Sequence, residues 1–380
     1  MRKPTSKKLT CLALSLLMAL GTAQTAVMAA GEDTAATTNT NTKTTLQEIS
    51  ESLSSISYAA YKEQHADAKR GTKSVTIDAT DYVAESTTAT VSVESNYNGK
   101  SGQSLVMQDD GKVTWKVNIP ETGLYAIGID FTSTSEKTNS IERMLYINDK
   151  VPFSEARYLL MKKTWINDYT DGRFEIDSNG NELRPNSHVE HVWSNYEFID
   201  SNGYYANPFE FYLEAGENTI TLESVREPMA IQTITIHPYE DKLVYEDYIS
   251  GKSEATASPI HLDAETPSAT SDYTVYPIYD RKSAITEPQH HTKIMLNTIG
   301  GEKWQKVGQW VEYTFNVESA GLYEMVFRFR QNELSGMYVS RKIYIDGEVP
   351  FEEANYAKFN YGTEWQVAAA GNGADTFQFY

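Results

Sequence analysis

The phrase "YINDKVPFSEA" at residues 146–156 returns as "YIDGEVPFEEA" at 344–354, with seven of the eleven positions identical. A phrase of that length does not recur by accident. The chain writes one structural unit twice, and its fold must be one that can be built twice within 380 residues. At the same offset of 198, Val113 falls on Val311, Trp115 on Tyr313 and Val117 on Phe315. "GLY" at 123–125 matches "GLY" at 321–323, and Arg143 matches Arg341. Further upstream, "IDAT" (77–80) resembles "LDAE" (262–265).

The repeated unit reads as β-structure. From Val75 onward the apolar period is two: "VTWKVNI" puts Val113, Trp115, Val117 and Ile119 on one face, and "LYAIGIDF", "RMLYIND", "NTITLESV" and "AIQTITI" alternate in the same way. Short alternating strands separated by turns such as "EAGEN" imply an antiparallel sandwich or barrel. No glycine-rich strand-to-helix turn follows residue 70, which argues against a parallel α/β domain. Trp115 and Trp310 belong to or border strands and are expected in the core.

The two copies differ in their second halves. After Trp165, copy one carries a long stretch up to "PFEFY" (208–212), where copy two has about a dozen residues between Trp365 and "TFQFY" (376–380). Copy one then adds "NTITLESV" and "AIQTITI", which have no counterpart in copy two. A sandwich without them exposes sheet edges and half its core. The expectation is a longer native chain continuing with something like "L-x-x-G-x-N-x-I-T-L"; a degenerate second copy is the alternative.

The first thirty residues read as an export signal. Arg2, Lys3, Lys7 and Lys8 precede an apolar run from Leu9 to Leu20, and "AVMAA" (26–30) offers small residues for cleavage near 29–30. The run is short of the ~20 apolar residues a membrane-spanning helix needs; an uncleaved anchor is the alternative reading. Residues 31–43 are a Thr/Asn/Ala tether, and Leu46, Ile49, Leu53 and Ile56 at helical spacing predict one amphipathic helix over 44–68. The division expected is therefore a signal peptide (1–30), tether and helix (31–70), β-sandwich (71–240), linker (241–258) and a C-terminally incomplete β-sandwich (259–380). Localisation is expected to be secreted or at the cell surface.

The single cysteine, Cys11, lies inside the signal without the small residues a lipidation site wants, so the mature chain has no disulfide or thiolate chemistry. Net charge is −19, and removal of the signal's four basic residues takes the mature chain to about −23. Such a balance argues against nucleic acid and anionic membranes as partners and fits neutral ligands or bound cations.

The phrases "VTWKVNIPETGLYAIGIDF" and "GQWVEYTFNVESAGLYEMVFRFR" resemble the jelly-roll carbohydrate-binding modules of families 6 and 35. The set "IER-x-L-x-I-N-D-K-V-PF-x-EA", "ELRP", "GYY-x-x-PF-x-FYL" and "REPM", with the helix "SYAAYKEQHADAKR" before it, resembles the tandem N-terminal modules of large secreted Firmicutes proteins. Those proteins continue into an extracellular solute-binding domain of a carbohydrate ABC transporter. The resemblance covers roughly residues 55–380. It implies two tandem antiparallel jelly-roll β-sandwiches, an all-β fold whose second copy is truncated. It also implies a poly- or oligosaccharide partner and, through a domain absent from this chain, the transporter permease. The opening strand of such modules often holds a structural calcium, which here would fall to Asp78, Asp263 and Glu265; solvated strand-edge carboxylates are the alternative.

Aromatic planes cover the apolar faces of sugars at low entropic cost. Trp165, Trp193, Tyr204 and Tyr205 lie in or beside the long stretch of copy one rather than in its alternating strands, which suits a ligand platform; Trp365 is the aromatic that opens the short segment of copy two. The competing reading folds the long stretch back over its own rings. Arg184, Arg226 and Arg341 offer planar forks for vicinal hydroxyls or a uronate. Alternatively, these arginines and Arg143 clamp loops through Glu155, Glu227 or Glu353. "DSNGNELR" (177–184) has alternate oxygen ligands but Glu182 where a calcium loop needs glycine, so it reads as a polar turn. "HVEH" (188–191) sits in a loop-like setting, and no P-loop, nucleophile elbow or H-E-x-x-H motif occurs.

The function expected is an exported, non-catalytic carbohydrate-binding protein, the N-terminal part of a sugar solute-binding protein. The alternatives are accessory modules of a secreted glycoside hydrolase or polysaccharide lyase, or a surface adhesion protein.

Overall fold

Alternating strands of the expected kind build copy one. The structure, a computed structural model, describes residues 55–380; the signal peptide, the tether and the first half of the expected helix lie outside the described residues. In chain order the strands of copy one are β1 (Val75–Asp78), β2 (Val91–Ser95), β3 (Gln103–Met107), β4 (Lys112–Ile119), β5 (Gly123–Ser133), β6 (Ile141–Ile147) and β7 (Leu159–Met161). They continue with β8 (Thr164–Asn167), β9 (Ser187–Glu190), β10 (Ser194–Glu197), β11 (Phe211–Leu213), β12 (Gly216–Arg226) and β13 (Met229–His237). One sheet runs β10-β5-β13-β3-β2, with β1 also on β13 and β11 also on β5; the other runs β4-β12-β6-β7. The two sheets share one core: Val113, Trp115, Leu145, Ile220 and Leu222 from the smaller sheet belong to the same buried cluster as Ile127, Ile129, Ile234 and Ile236 from the larger. Trp115 is fully buried, and its indole N–H donates to the carbonyl of Ala79 at 2.8 Å, which satisfies its polar atom.

Among the described residues, the expected helix does not fill the whole of 55–68. It forms over α1 (Tyr58–Gln64), because Ser57 caps it by accepting from the Ala60 N–H and the chain leaves helical geometry at His65. Its tyrosines dock it. Tyr58 and Tyr61 are buried, and their hydroxyls accept from the backbone N–H groups of Glu210 and Tyr212 at 2.9 and 2.7 Å. The Glu155 carboxylate accepts from the Tyr58 N–H at 2.9 Å.

Copy two repeats this arrangement, and the expected linker over 241–258 is corrected by it. Within that segment lies α2 (Tyr245–Ile249). The Tyr245 N–H donates to Glu353, and the hydroxyls of Tyr245 and Tyr248 accept from the N–H groups of Gln378 and Tyr380. The repeated unit is therefore a short helix plus a β-domain. Glu155 and Glu353, expected as arginine partners, hold these helix starts instead.

Copy two contributes β14 (Ala269–Thr270), β15 (Pro277–Ile278), β16 (Thr298–Ile299), β17 (Val311–Glu312), β18 (Tyr323–Glu324), β19 (Val326–Phe329), β20 (Tyr338–Arg341), β21 (Ala357–Asn360), β22 (Gln366–Ala369) and β23 (Gln378–Phe379). Most pair only in twos: β15 with β16, β18 with β23, β19 with β22, β20 with β21. Its core is correspondingly small, centred on Phe351, Phe377 and Phe379.

The long stretch of copy one joins the copies. β8 and β9 form a four-stranded sheet with β14 and β17, through Trp165 opposite Thr270. Beside this sheet, the Glu182 N–H donates to Ile294, and Glu182 accepts from the Leu296 N–H at 2.6 Å. Glu265, in the turn before β14, is 5% exposed, and Asp263 and Glu182 are its charged neighbours. Burial first, and those like charges second, push its carboxyl up to about 7.

Two measurements follow. Tyr58→Phe strands the Glu210 N–H and is expected to cost about 1–2 kcal/mol in urea unfolding; an unchanged midpoint would remove the docking role of the hydroxyl. The folded state holds the Glu265 proton more tightly than the unfolded chain does, so this group's stabilisation is complete at acid pH and is lost as pH rises to about 7. The expected loss between about pH 5 and about pH 8 is on the order of 3 kcal/mol, and Glu265→Gln should flatten that part of the stability curve.

Candidate functional site

A strand with one buried face presents its alternate residues outward. On the larger sheet of copy one the strand registers align these residues into rows. Asn195, Asp130, Thr233 and Asp78 stand opposite one another across β10, β5, β13 and β1, and Glu197, Gly128, Thr235 and Thr76 form the next row. The result is a polar face four strands wide.

Its polar groups are ordered. His237 pairs with Glu197 through Nε2 at 3.1 Å, and that hydrogen bond raises the imidazole pKa. The β2–β3 connection turns through left-handed backbone at Asn96 and Asn98 and meets the segment before β10. There Asn98 donates to the His191 carbonyl, and Gln232 of β13 donates to Ser101 at 2.7 Å. Lys100 from this connection forms an ion pair with Asp130 and lies 4.9 Å from the ring centroid of Trp193. The Trp193 indole N–H donates to the Tyr97 carbonyl at 3.1 Å, and the ring is half-buried. A braced indole beside a row of amide, hydroxyl and carboxylate groups can stack on an apolar ring face while hydrogen-bonding hydroxyls.

Nearby, Ser133 Oγ lies 2.9 Å from His191 Nδ1, and His191 Nε2 lies 2.8 Å from Glu136. The order of groups resembles a hydrolytic relay. Ser133 is 5% exposed, however, so its hydroxyl is closed to a substrate carbonyl in this arrangement.

The residues singled out from the sequence disperse. Trp193 joins the polar face, and Asp78 is exposed at its far end. Tyr204 is 84% exposed, on a turn held by Asp200, which accepts from the N–H groups of Asn202 and Tyr204 at 2.9 and 2.6 Å. Tyr205 packs edge-on against Tyr58 at 5.0 Å and belongs with the core. Trp165 corrects the loop-platform expectation: it sits in a strand, 6% exposed, against Tyr273 at 5.4 Å. Arg184 stacks 3.2 Å from the ring centroid of Tyr276 and donates to the Tyr273 carbonyl, which ties it to the joint. Arg226 is exposed and lies 3.5 Å from Glu142. Trp365 is half-buried under Arg330, and Arg341 lies 5.0 Å from the Trp304 ring centroid. Among the described residues, no ring contact or hydrogen bond connects Trp165, Trp193, Tyr204 and Trp365 to one another.

Arg143 does clamp loops, but through carbonyls rather than carboxylates: it donates to Glu142, Arg226 and Glu227 at 2.8, 2.9 and 2.8 Å. Its burial lowers its pKa to about 10. The Glu227 carboxylate is taken by Lys163 at 3.1 Å. "DSNGNELR" forms the expected polar turn, with Asp177 accepting from the N–H groups of Asn179 and Asn181. The calcium candidates do not converge. Asp78 belongs to copy one, whereas Asp263 and Glu265 lie outside any strand in copy two; among the described residues no group of three or more metal-ligating side chains gathers.

Sequence reasoning missed Asp130, Asn195, Lys100 and the His237–Glu197 pair. The alternation of β5 could have placed Asp130 on the outer face, but its neighbours depend on strand order.

No family model and no curated protein matches the chain. Among solved structures, the chain is similar in part to a family 35 carbohydrate binding module from Clostridium thermocellum, at 16% identity over 44% of this chain and 99% of that one, with a TM-score of 0.24. It is similar to the C-terminal CBM6 of LamC, a laminarinase from Zobellia galactanivorans, at 12% identity over 43% of this chain and 99% of that one, TM-score 0.25. It also matches a GH26-CBM35 β-(1,4)-mannanase from Podospora anserina at 14% identity and TM-score 0.26, over 44% of this chain but only 28% of the mannanase. At TM-scores this low the likeness is partial, and it transfers neither ligand nor activity to this chain.

Proposed function

We propose that the chain is a non-catalytic glycan-binding tandem whose working surface is the outer face of the larger sheet in copy one. The observation that carries this reading is Trp193, held beside the Asn195–Asp130–Thr233 row with Lys100 reaching both the indole and Asp130. The tandem is exported and tethered, and it serves a carbohydrate importer by raising the local concentration of poly- or oligosaccharide near it. Accessory modules of a secreted glycoside hydrolase or lyase would use the same surface and differ only in the domain they serve. A calcium ion, if held, would be structural and would draw on Asp78 in copy one or Asp263 and Glu265 in copy two.

A glycan array with the whole mature chain, with and without chelator, tests both points. Binding of at least one neutral or uronate-bearing glycan is expected, and Trp193→Ala should weaken it roughly tenfold or more while the protein stays folded. A folded sample that binds no glycan, or a Trp193→Ala protein of full affinity, would remove this reading. A calcium site predicts a lower thermal unfolding midpoint after chelation.

A further inference from the structure

Strand register makes Trp365 the counterpart of Trp193, although the two do not align at the offset of the repeat. In copy one Ser194 stands opposite Phe131 and Asn195 opposite Asp130. In copy two Gln366 stands opposite Phe329 and Val367 opposite Arg328. Phe329 and Arg328 are the residues that align with Phe131 and Asp130. A second contact agrees: the Phe209 N–H donates to the Phe198 carbonyl, and the Phe377 N–H to the Ala370 carbonyl, both at 2.8 Å. Each tryptophan thus directly precedes an equivalent strand, β10 or β22. Each also has a cation beside its ring. Lys100 lies 4.9 Å from the centroid of Trp193, and the Arg330 guanidinium 5.3 Å from that of Trp365.

The charges around the two rings are inverted. In copy one the strand carries the anion, Asp130, and the β2–β3 connection supplies the cation, Lys100. In copy two the strand carries the cations, Arg328 and Arg330, and the β15–β16 connection supplies the anions, Glu287 and Asp280. The neighbouring positions change with them: Val367 stands where copy one has Asn195, Ala369 where it has Glu197, and Val326 where it has Gly128. The two arginines are not equally committed. Arg330 lies 2.8 Å from Asp280, whose side chain is 6% exposed, so its charge is neutralised and it braces the indole. Arg328 meets Glu287 only at 3.8 Å, with side chains 39% and 70% exposed. A pair of that kind contributes little and opens readily.

We infer that copy two carries a second saccharide platform, built from Trp365, Val367 and Val326 around Arg328, and that it takes an oxyanion-bearing saccharide, a uronate or a sulfate ester. The indole and the valines cover an apolar ring face, and the Arg328 fork turns from Glu287 to the carboxylate or sulfate. Copy one offers an amide and carboxylates at the matching positions, which suit neutral hydroxyls. The inference rests on the reading of a braced indole as a glycan platform and adds a division of ligands between the copies by charge.

The test titrates the whole mature chain with oligogalacturonate, its carboxyl-reduced form and a sulfated galactan oligosaccharide. At least one acidic probe is expected to bind about tenfold or more tightly than the reduced form, and which one binds identifies the oxyanion. Trp365→Ala and Arg328→Gln should each weaken that binding roughly tenfold, while Trp193→Ala leaves it unchanged. Glu287→Gln frees Arg328 and should tighten it ~threefold, a gain that a merely structural role would not produce. If Trp365→Ala does not fold, Arg328→Gln and Glu287→Gln decide. Binding of neither acidic probe by the folded protein, or full affinity in Arg328→Gln, overturns the inference. Loss of acidic-probe binding in Trp193→Ala but not in Trp365→Ala also overturns it and leaves the copy-one platform standing; loss in Trp365→Ala, with Trp193→Ala unaltered on every glycan, does the reverse.

Discussion

The rest of the structure depends on two facing rows of aliphatic and aromatic side chains being removed from water between the sheets of copy one. β4, β12 and β6 give one row and β5 and β13 the other. Burial of these rows is the main stabilising term available to a chain without disulfides. Because strand side chains alternate, the same pairing turns Asp130, Thr233 and Asn195 outward on one surface. The candidate ligand face is thus a geometric consequence of the core.

The short helices extend the same logic. α1 is too short to be stable alone in water and is held by what it docks on. Its two tyrosines bury their rings and accept backbone N–H groups at the start of β11, and α2 does the same at β23. This satisfies backbone donors on the side of β11 where, among the described residues, no strand pairs. The joint between the copies works through a different economy: a strand pair from copy one extends a sheet of copy two, Arg184 stacks on Tyr276, and Glu265 is enclosed among like charges. Under the glycan reading, that joint fixes the relation between the two copies.

Legibility varied with the range of the interactions. Trp115 could be placed in the core from the alternation of a single strand. Trp165 could not be placed, because its strand neighbour Thr270 lies more than a hundred residues away in the other copy. The tyrosines of α2 escaped notice because five residues are too few to show a helical period. The aromatics chosen as ligand platforms were picked for lying outside alternating segments, yet three different environments received them: Trp165 the joint, Tyr205 the core, Tyr204 open solvent. Of these choices only Trp193 stands beside the polar rows.

By itself, the sequence determined that the chain is β-structured, that it contains one unit twice, and which residues of the long strands face inward. Those properties are local, set by side-chain alternation and by a repeat that is visible letter by letter. Only the tertiary structure decided which strands neighbour which, that the long stretch of copy one completes a sheet in copy two, and that Asn195, Asp130, Thr233 and Asp78 stand in one row. The reason is physical: strand order and register are settled by contacts between segments far apart in the chain, and alternation along one strand is compatible with many partners.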